Sequence, residues 1–241
     1  MSAPQSEQAL RLSLDRLRPG SDVLDVGAGD GEHSRAFMEA GHRVTAVDLR
    51  PAPRWWPVRP TLADDPGQLL PDHCWLRDSF PAGPGHWKFF PRHQWPATPK
   101  PRESFGKNFD LVWCSHVLEH LPDVGASLSA MRDVLDPDGL LAITVPPRKD
   151  AVVGGHVSLW NLGLLAYRLI LAGFDCSGAS LGAYGYNLSA IVSAAELVPG
   201  DVLDSLSHDH GDVEKLAAYF PPEWRARQGF DGATVPNVRW V

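Results

Sequence analysis

Cysteine is scarce in this chain: Cys74, Cys114 and Cys176 are the only three in 241 residues. An odd, widely spaced set suits reduced thiols rather than a disulfide framework. Basic charge is also in short supply, with 22 Lys and Arg against 29 Asp and Glu and a formal net charge of −7. Such a balance lacks the field that a nucleic-acid groove needs, so no nucleic-acid partner is expected. Long apolar runs are missing as well. The longest, Leu159 to Gly173, is broken by Asn161, Gly163 and Arg168 and is too short to cross a bilayer, so no membrane association is expected. The amino-terminal stretch shows no basic segment followed by an apolar core, so a cytoplasmic setting is expected. What is present is globular, at 44% hydrophobic and 21% charged, and 241 residues can bury a substantial core in one domain.

The pattern along the chain is α/β. Glu7 to Leu17 places Leu10, Leu14 and Leu17 on one helical face, and Pro19 with Gly20 stops it. Ser21 to Val26 reads as a buried strand, Glu32 to Ala40 as a helix closed by Gly41, and Arg43 to Val47 as a second buried strand. Together they form one βαβ unit. Phe109 to Cys114 is a further strand. Asp123 to Leu135 is a helix, Asp136 to Gly139 a turn, and Leu140 to Val145 a strand ended by Pro146 and Pro147. Leu159 to Ala172 reads as an apolar helix. Phe174 to Ala183 and Leu188 to Ala194 suit a closing hairpin, and a short helix follows near Asp212 to Tyr219.

Between Pro51 and Arg102 this regularity lapses. Twelve of the 22 prolines and five of the nine tryptophans lie there. Proline prevents long helices and central strands. Aromatics in this number argue against a linker and for an ordered, lid-like insertion at about 51–105 that packs on a single domain. Its aromatics suit the wall of an apolar pocket, with a structural flap or a homodimer contact as the other reading.

The strongest chemical signal is the run Asp25, Val26, Gly27, Ala28, Gly29, Asp30, Gly31. Glycines at a strand's mouth let backbone approach a ligand closely, and the following helix offers free N–H groups to an anion. Asp48, at the end of the next strand, suits a carboxylate that accepts two sugar hydroxyls. A dinucleotide fingerprint would require a further glycine where Glu32 stands, and that carboxylate would repel a pyrophosphate. Nicotinamide and flavin cofactors are therefore disfavoured.

These residues resemble the class I S-adenosylmethionine-dependent methyltransferases of the small-molecule type. The resemblance is carried by Val23 to Gly31, Val44 to Asp48, Phe109 to Asp123 and Leu135 to Leu141. It implies a Rossmann-like, seven-stranded, mostly parallel sheet with helices on both faces and the last strand antiparallel beside the fifth. It also implies that S-adenosylmethionine lies against Asp25, Gly27, Ala28, Gly29 and Gly31, with Asp48 and Leu49 at the ribose. Asp78 and Ser79 would stand near the adenine, and Ser115 and His116 would cover the adenine or ribose. The amino-methylating tetrapeptide of nucleic-acid enzymes is absent, which with the acidic charge points to a small-molecule acceptor.

Transfer from a sulfonium asks mainly for alignment and exclusion of water. A base is needed only where the acceptor must lose a proton, and histidine suits that duty. His156 is the first candidate, followed by His116, Tyr184 and Tyr186 with Asn187 beside them. Glu119 and His120 are expected to cap the following helix. His116, Glu119 and His120 match a zinc-peptidase spacing, but the pattern straddles a strand end without a third ligand from a later helix, so no metal is expected. His73, His86, His93, His208 and His210 are expected at the surface. Two alternatives to methyl transfer stay open. One is aminocarboxypropyl transfer or cyclisation of the cofactor, releasing methylthioadenosine. The other is a non-catalytic cofactor-binding subunit.

Overall fold

The computed structural model describes residues 6–48, 105, 107–225 and 235–240, and the backbone of 85–89. The sequence-predicted insertion at about 51–105 otherwise lies outside the described residues, as do Leu49, Asp78 and Ser79. The elements in chain order are α1 (Glu7–Leu14), β1 (Asp22–Val26), α2 (Glu32–Glu39), β2 (Arg43–Asp48), β3 (Gly85–Phe89) and β4 (Phe109–Ser115). A 3₁₀ turn (Leu118–His120) leads to α3 (Val124–Asp133), β5 (Leu135–Val145), α4 (Leu162–Leu171), β6 (Ser180–Tyr184) and β7 (Asn187–Ser193). Short helical pieces, α5 (Gly200–Asp204), α6 (Asp212–Lys215) and α7 (Pro222–Arg225), follow.

Seven strands form one sheet in the order β3-β2-β1-β4-β5-β7-β6. β1 pairs in parallel with β2 and β4, and β4 with β5, while β7 runs antiparallel to both β5 and β6. The expected antiparallel final strand beside the fifth is thus present. Chain order reverses at β1, between β2 and β4, and in open α/β sheets such a point opens a crevice at the strands' carboxyl ends.

The central strands are largely apolar, with Asp25 of β1 and Asp110 of β4 among the exceptions, because both faces are covered. On one face Val23, Leu111, Trp113, Ala142 and Ile191 pack with Ala9 and Leu10 of α1 and Phe37 of α2. On the other, Leu24, Val112, Cys114, Ile143 and Val192 pack with Leu128 and Met131 of α3 and Leu165 and Leu169 of α4. Alternate residues of one strand therefore serve opposite layers.

Several expected boundaries move. The first helix ends at Leu14, and the apolar helix starts at Leu162 because Asn161 caps it, accepting from the Leu164 amide at 2.8 Å. Residues 136–139 form no separating turn before β5. They bulge within the strand, whose register jumps from Phe109 opposite Leu135 to Leu111 opposite Leu140. Gly139 makes this possible, since a Cβ there would stand 2.9 Å from the Phe109 carbonyl oxygen. Glu119 and His120 do not cap α3. Asp123 does, its carboxylate accepting from the Ala126 amide at 2.9 Å.

Candidate active site

The loop after β1 is built from backbone. Gly27, Gly29 and Gly31 take φ values of 74°, 60° and 76°, the left-handed region where a side chain is strained. The Gly27 and Ala28 amides donate to the Val47 carbonyl at 2.8 and 3.2 Å, tying the loop to the end of β2. The Gly29 amide donates to Asp48 Oδ2 at 2.7 Å. A Cβ on Gly27 would lie 2.2 Å from a Val117 methyl, so the far wall of the crevice rests directly on this glycine. Gly31 leads into α2 without a side-chain cap, so a ligand can meet the first-turn amides.

Asp25 stands behind the loop rather than in it. It is 1% exposed and accepts the Ser34 hydroxyl at 2.5 Å, pinning the first turn of α2. Burial pushes its pKa up to about 6, helped by the Asp48 charge and opposed by His33 and the Ser34 hydroxyl.

Across the crevice, β4 ends at Ser115, whose hydroxyl meets the Ser6 hydroxyl at 2.9 Å. His116 follows with φ 55°, a conformation rare for a side chain of this size and concentrated at functional sites. Its Nε2 lies 2.9 Å from Asn187 Oδ1 and its Nδ1 3.3 Å from Glu119 Oε1. Burial opposes protonation of this ring, but the two acceptors and the Glu119 charge outweigh it and hold its pKa above the ordinary value. Tyr186 stacks on it at 6.5 Å and 14°, and Lys149 Nζ stands 4.2 Å over the Tyr186 ring. His116, Tyr186 and Asn187 therefore come together.

Tyr184 does not join them as a free hydroxyl. Its oxygen accepts from the Ala9 amide at 3.2 Å and meets Ser189 Oγ at 3.1 Å, and burial raises its pKa despite these bonds. It secures α1. His156 lies beside His120, with ring centroids 5.0 Å apart at 82°. Glu119, expected to be a helix cap, is instead a carboxylate buried to 1% exposure between His116 and His120. The available signal was an acid with histidines on both sides inside the apolar stretch Val117 to Leu121.

Comparisons with known proteins agree with this architecture. The fold is similar to that of 1,6-didemethyltoxoflavin-N1-methyltransferase from Burkholderia thailandensis, solved with bound 1,6-didemethyltoxoflavin and S-adenosylhomocysteine. The TM-score is 0.56, with 24% identity over 80% of this chain and 78% of that one. In sequence the chain is similar to a ubiquinone biosynthesis O-methyltransferase from Idiomarina loihiensis, 30% identical over 152 residues. The aligned part covers 63% of this chain and 50% of the relative. The corresponding enzyme from Actinobacillus pleuropneumoniae (strain AP76) is 25% identical over 179 residues, covering 74% of this chain and 62% of that protein. The chain thus spans between half and two thirds of the length of these curated relatives. Residues 5–174, well over half of the chain, match a family model described as a methyltransferase domain. The glycine loop, Asp48 and the β4 edge all fall within that match, and the chain belongs to this methyltransferase family.

Proposed function

We propose that the protein is an S-adenosylmethionine-dependent methyltransferase that acts on a small-molecule acceptor. The observation that carries this reading is the junction of the glycine loop with Asp48, where the Gly29 amide meets the carboxylate at 2.7 Å. It forms a shelf of backbone beside the Asp48 carboxylate at the mouth of the crevice. These residues fit the cofactor. Backbone without Cβ atoms suits close approach of the methionine portion, and the half-buried Asp48 carboxylate suits two ribose hydroxyls.

When bound, the cofactor supplies a methyl group on a sulfonium, which is already a good leaving group. The chain's part is to hold, align and dry. Alignment of two reactants contributes about 7–11 kcal/mol in favourable cases. Asp25 stiffens the loop from behind through Ser34. Ser115 and His116 line the opposite edge, where His116 is fixed by Asn187 and Glu119 and Tyr186 lies flat on it. His116, Tyr186 and Asn187 form the wall that meets the acceptor. The relatives are named for transfer to oxygen, in ubiquinone biosynthesis and on a malonyl group of acyl carrier protein, which favours an oxygen acceptor here. The acidic charge and the buried, free Cys114 and Cys176 support a reducing, cytoplasmic setting and a small acceptor rather than nucleic acid.

Calorimetry with S-adenosylhomocysteine tests the cofactor site. Asp48→Ala is expected to weaken binding by about 1–3 kcal/mol, the cost of losing hydrogen bonds to a charged group. Asp48→Asn, which keeps an acceptor for Gly29, is expected to fall between. Unchanged affinity in Asp48→Ala would sink this placement. Incubation with S-adenosylmethionine alone, followed by mass spectrometry, tests the chemistry. Methylthioadenosine formed at a catalytic rate would overturn methyl transfer in favour of cyclisation.

A further inference from the structure

We infer that Glu119, His120 and His156 form a binding site for a divalent cation of the zinc class. Each offers one ligand atom, and these atoms all lie within 4.8 Å of one another. Two ligands held at about 2.1 Å in a tetrahedral set stand roughly 3.4 Å apart. Closing the set onto a cation asks the ligand atoms to approach by about an ångström.

Three features separate this cluster from a chance gathering of histidines. First, Glu119 is buried to 1% exposure and its Oε2 has no hydrogen-bond partner among the described residues. A buried carboxylate oxygen left bare is costly, and a cation removes that cost. Second, His120 is prepared as a ligand. Its Nδ1 lies 2.8 Å from the Gly155 carbonyl oxygen, so that nitrogen carries the proton. Nε2 is left to face Glu119, 3.9 Å from its Oε1. A ring nitrogen donating to a carbonyl while the other faces outward is the usual arrangement behind a metal-bound imidazole. Third, the segment that brings His156 is tied down. The Val157 amide donates to the Glu119 carbonyl at 2.7 Å, and the Ser158 hydroxyl reaches the Leu118 carbonyl at 3.4 Å. Gly155 passes so near that a Cβ would sit 3.2 Å from His120 Nδ1.

Two imidazoles and one carboxylate suit zinc better than magnesium or calcium, which prefer oxygen ligands alone. Three protein ligands leave a fourth position for water or a small-molecule donor. His116 shares Glu119, so this position borders the edge assigned to the acceptor. Occupancy itself does not depend on methyl transfer, and its test omits the cofactor.

The experiment is titration of the purified, chelator-stripped protein with zinc against a chromophoric competitor, and separately with cobalt(II) while recording visible absorption. One equivalent is expected to bind, with the intense visible bands of four-coordinate cobalt. Glu119→Gln, His120→Ala and His156→Ala are each expected to weaken zinc binding at least tenfold, since loss of a mere supporting partner costs about 10–100-fold. The His208→Ala/His210→Ala double variant, altered in the exposed tail, is expected to bind as wild type. Folding of each variant is checked by circular dichroism. Absence of stoichiometric binding would overturn the proposal. So would binding that survives the well-folded Glu119→Gln and His156→Ala variants, or that vanishes only in the tail variant.

Discussion

A single buried acid shows how the cofactor loop is kept in shape and what that costs. Asp25 was legible in the sequence as part of the glycine run, but its solvent shielding was not. Burial and the neighbours Ser34, His33 and Asp48 act on it together only once β1, α2 and β2 are assembled. Its folded pKa of about 6 lies above that of an unfolded aspartate. Between about pH 4 and 6 the folded chain therefore holds a proton that the unfolded chain has released. Asp25 costs nothing below that window, costs progressively more as pH rises through it, and carries its full penalty above pH 6. In Asp25→Asn the penalty is absent. The stability of this variant relative to wild type is expected to climb from pH 4.5 to pH 7 and then level off, measured by urea unfolding at fixed ionic strength. A difference that stays flat across the window would mean that Asp25 is not desolvated as described. The same residue scale explains why the surroundings of Glu119 were not legible: spacing showed its histidine neighbours, but only packing shows that its second oxygen meets no donor among the described residues.

At the scale of elements, the helices and strands were largely readable from apolar periodicity, and the departures have local causes. Asn161 and Asp123 take helix caps that the periodicity could not assign. Residues 136–139 have turn chemistry, yet strand pairing on both sides of them turns the segment into a bulge. The loop between β1 and α2 was legible because its geometry demands glycine, and this gives a test of the element itself. Gly27→Ala places a methyl group at positive φ and against Val117, at 2.2 Å from Cγ2. The left-handed backbone alone costs about 1–2 kcal/mol for an alanine, and the clash adds to it. A lower melting temperature and much weaker binding of S-adenosylhomocysteine are expected. Adding Val117→Ala should return the part of the loss due to the clash and leave the part due to φ. If the double variant is no better than Gly27→Ala, the valine does not rest on the glycine as the structure has it.

At the scale of the whole molecule, the two ends of the described chain are joined along the β6 edge of the sheet, and no local pattern announced it. The backbone of Val238 exchanges hydrogen bonds with Leu181 at 2.8 and 2.9 Å, and Asn237 bonds both backbone groups of Ala183. Trp240 then lies over Gly182, stacks on Tyr184 at 5.4 Å and 21°, and donates its indole N–H to Gln8 Oε1 at 2.9 Å. Tyr184 in turn accepts from the Ala9 amide, a first-turn group that α1 cannot satisfy internally. Through Ser6 and Ser115 the same helix touches the end of β4. Contacts 175 and 232 positions apart, Tyr184 with Ala9 and Trp240 with Gln8, cannot be read from periodicity, which is why the sequence did not show that Tyr184 holds α1. Trp240→Ala removes the stack and the Gln8 bond, and is expected to cost about 1–2 kcal/mol, or a melting temperature lower by about 2–8 °C. Hydrogen exchange at Ala9 should speed up in the same variant. Tyr184→Phe keeps the ring and loses the acceptor, so it should speed exchange at Ala9 while leaving turnover within about twofold of wild type. A collapse of turnover in Tyr184→Phe with Ala9 still protected would return the tyrosine to the catalytic set and make the joined ends incidental to the site.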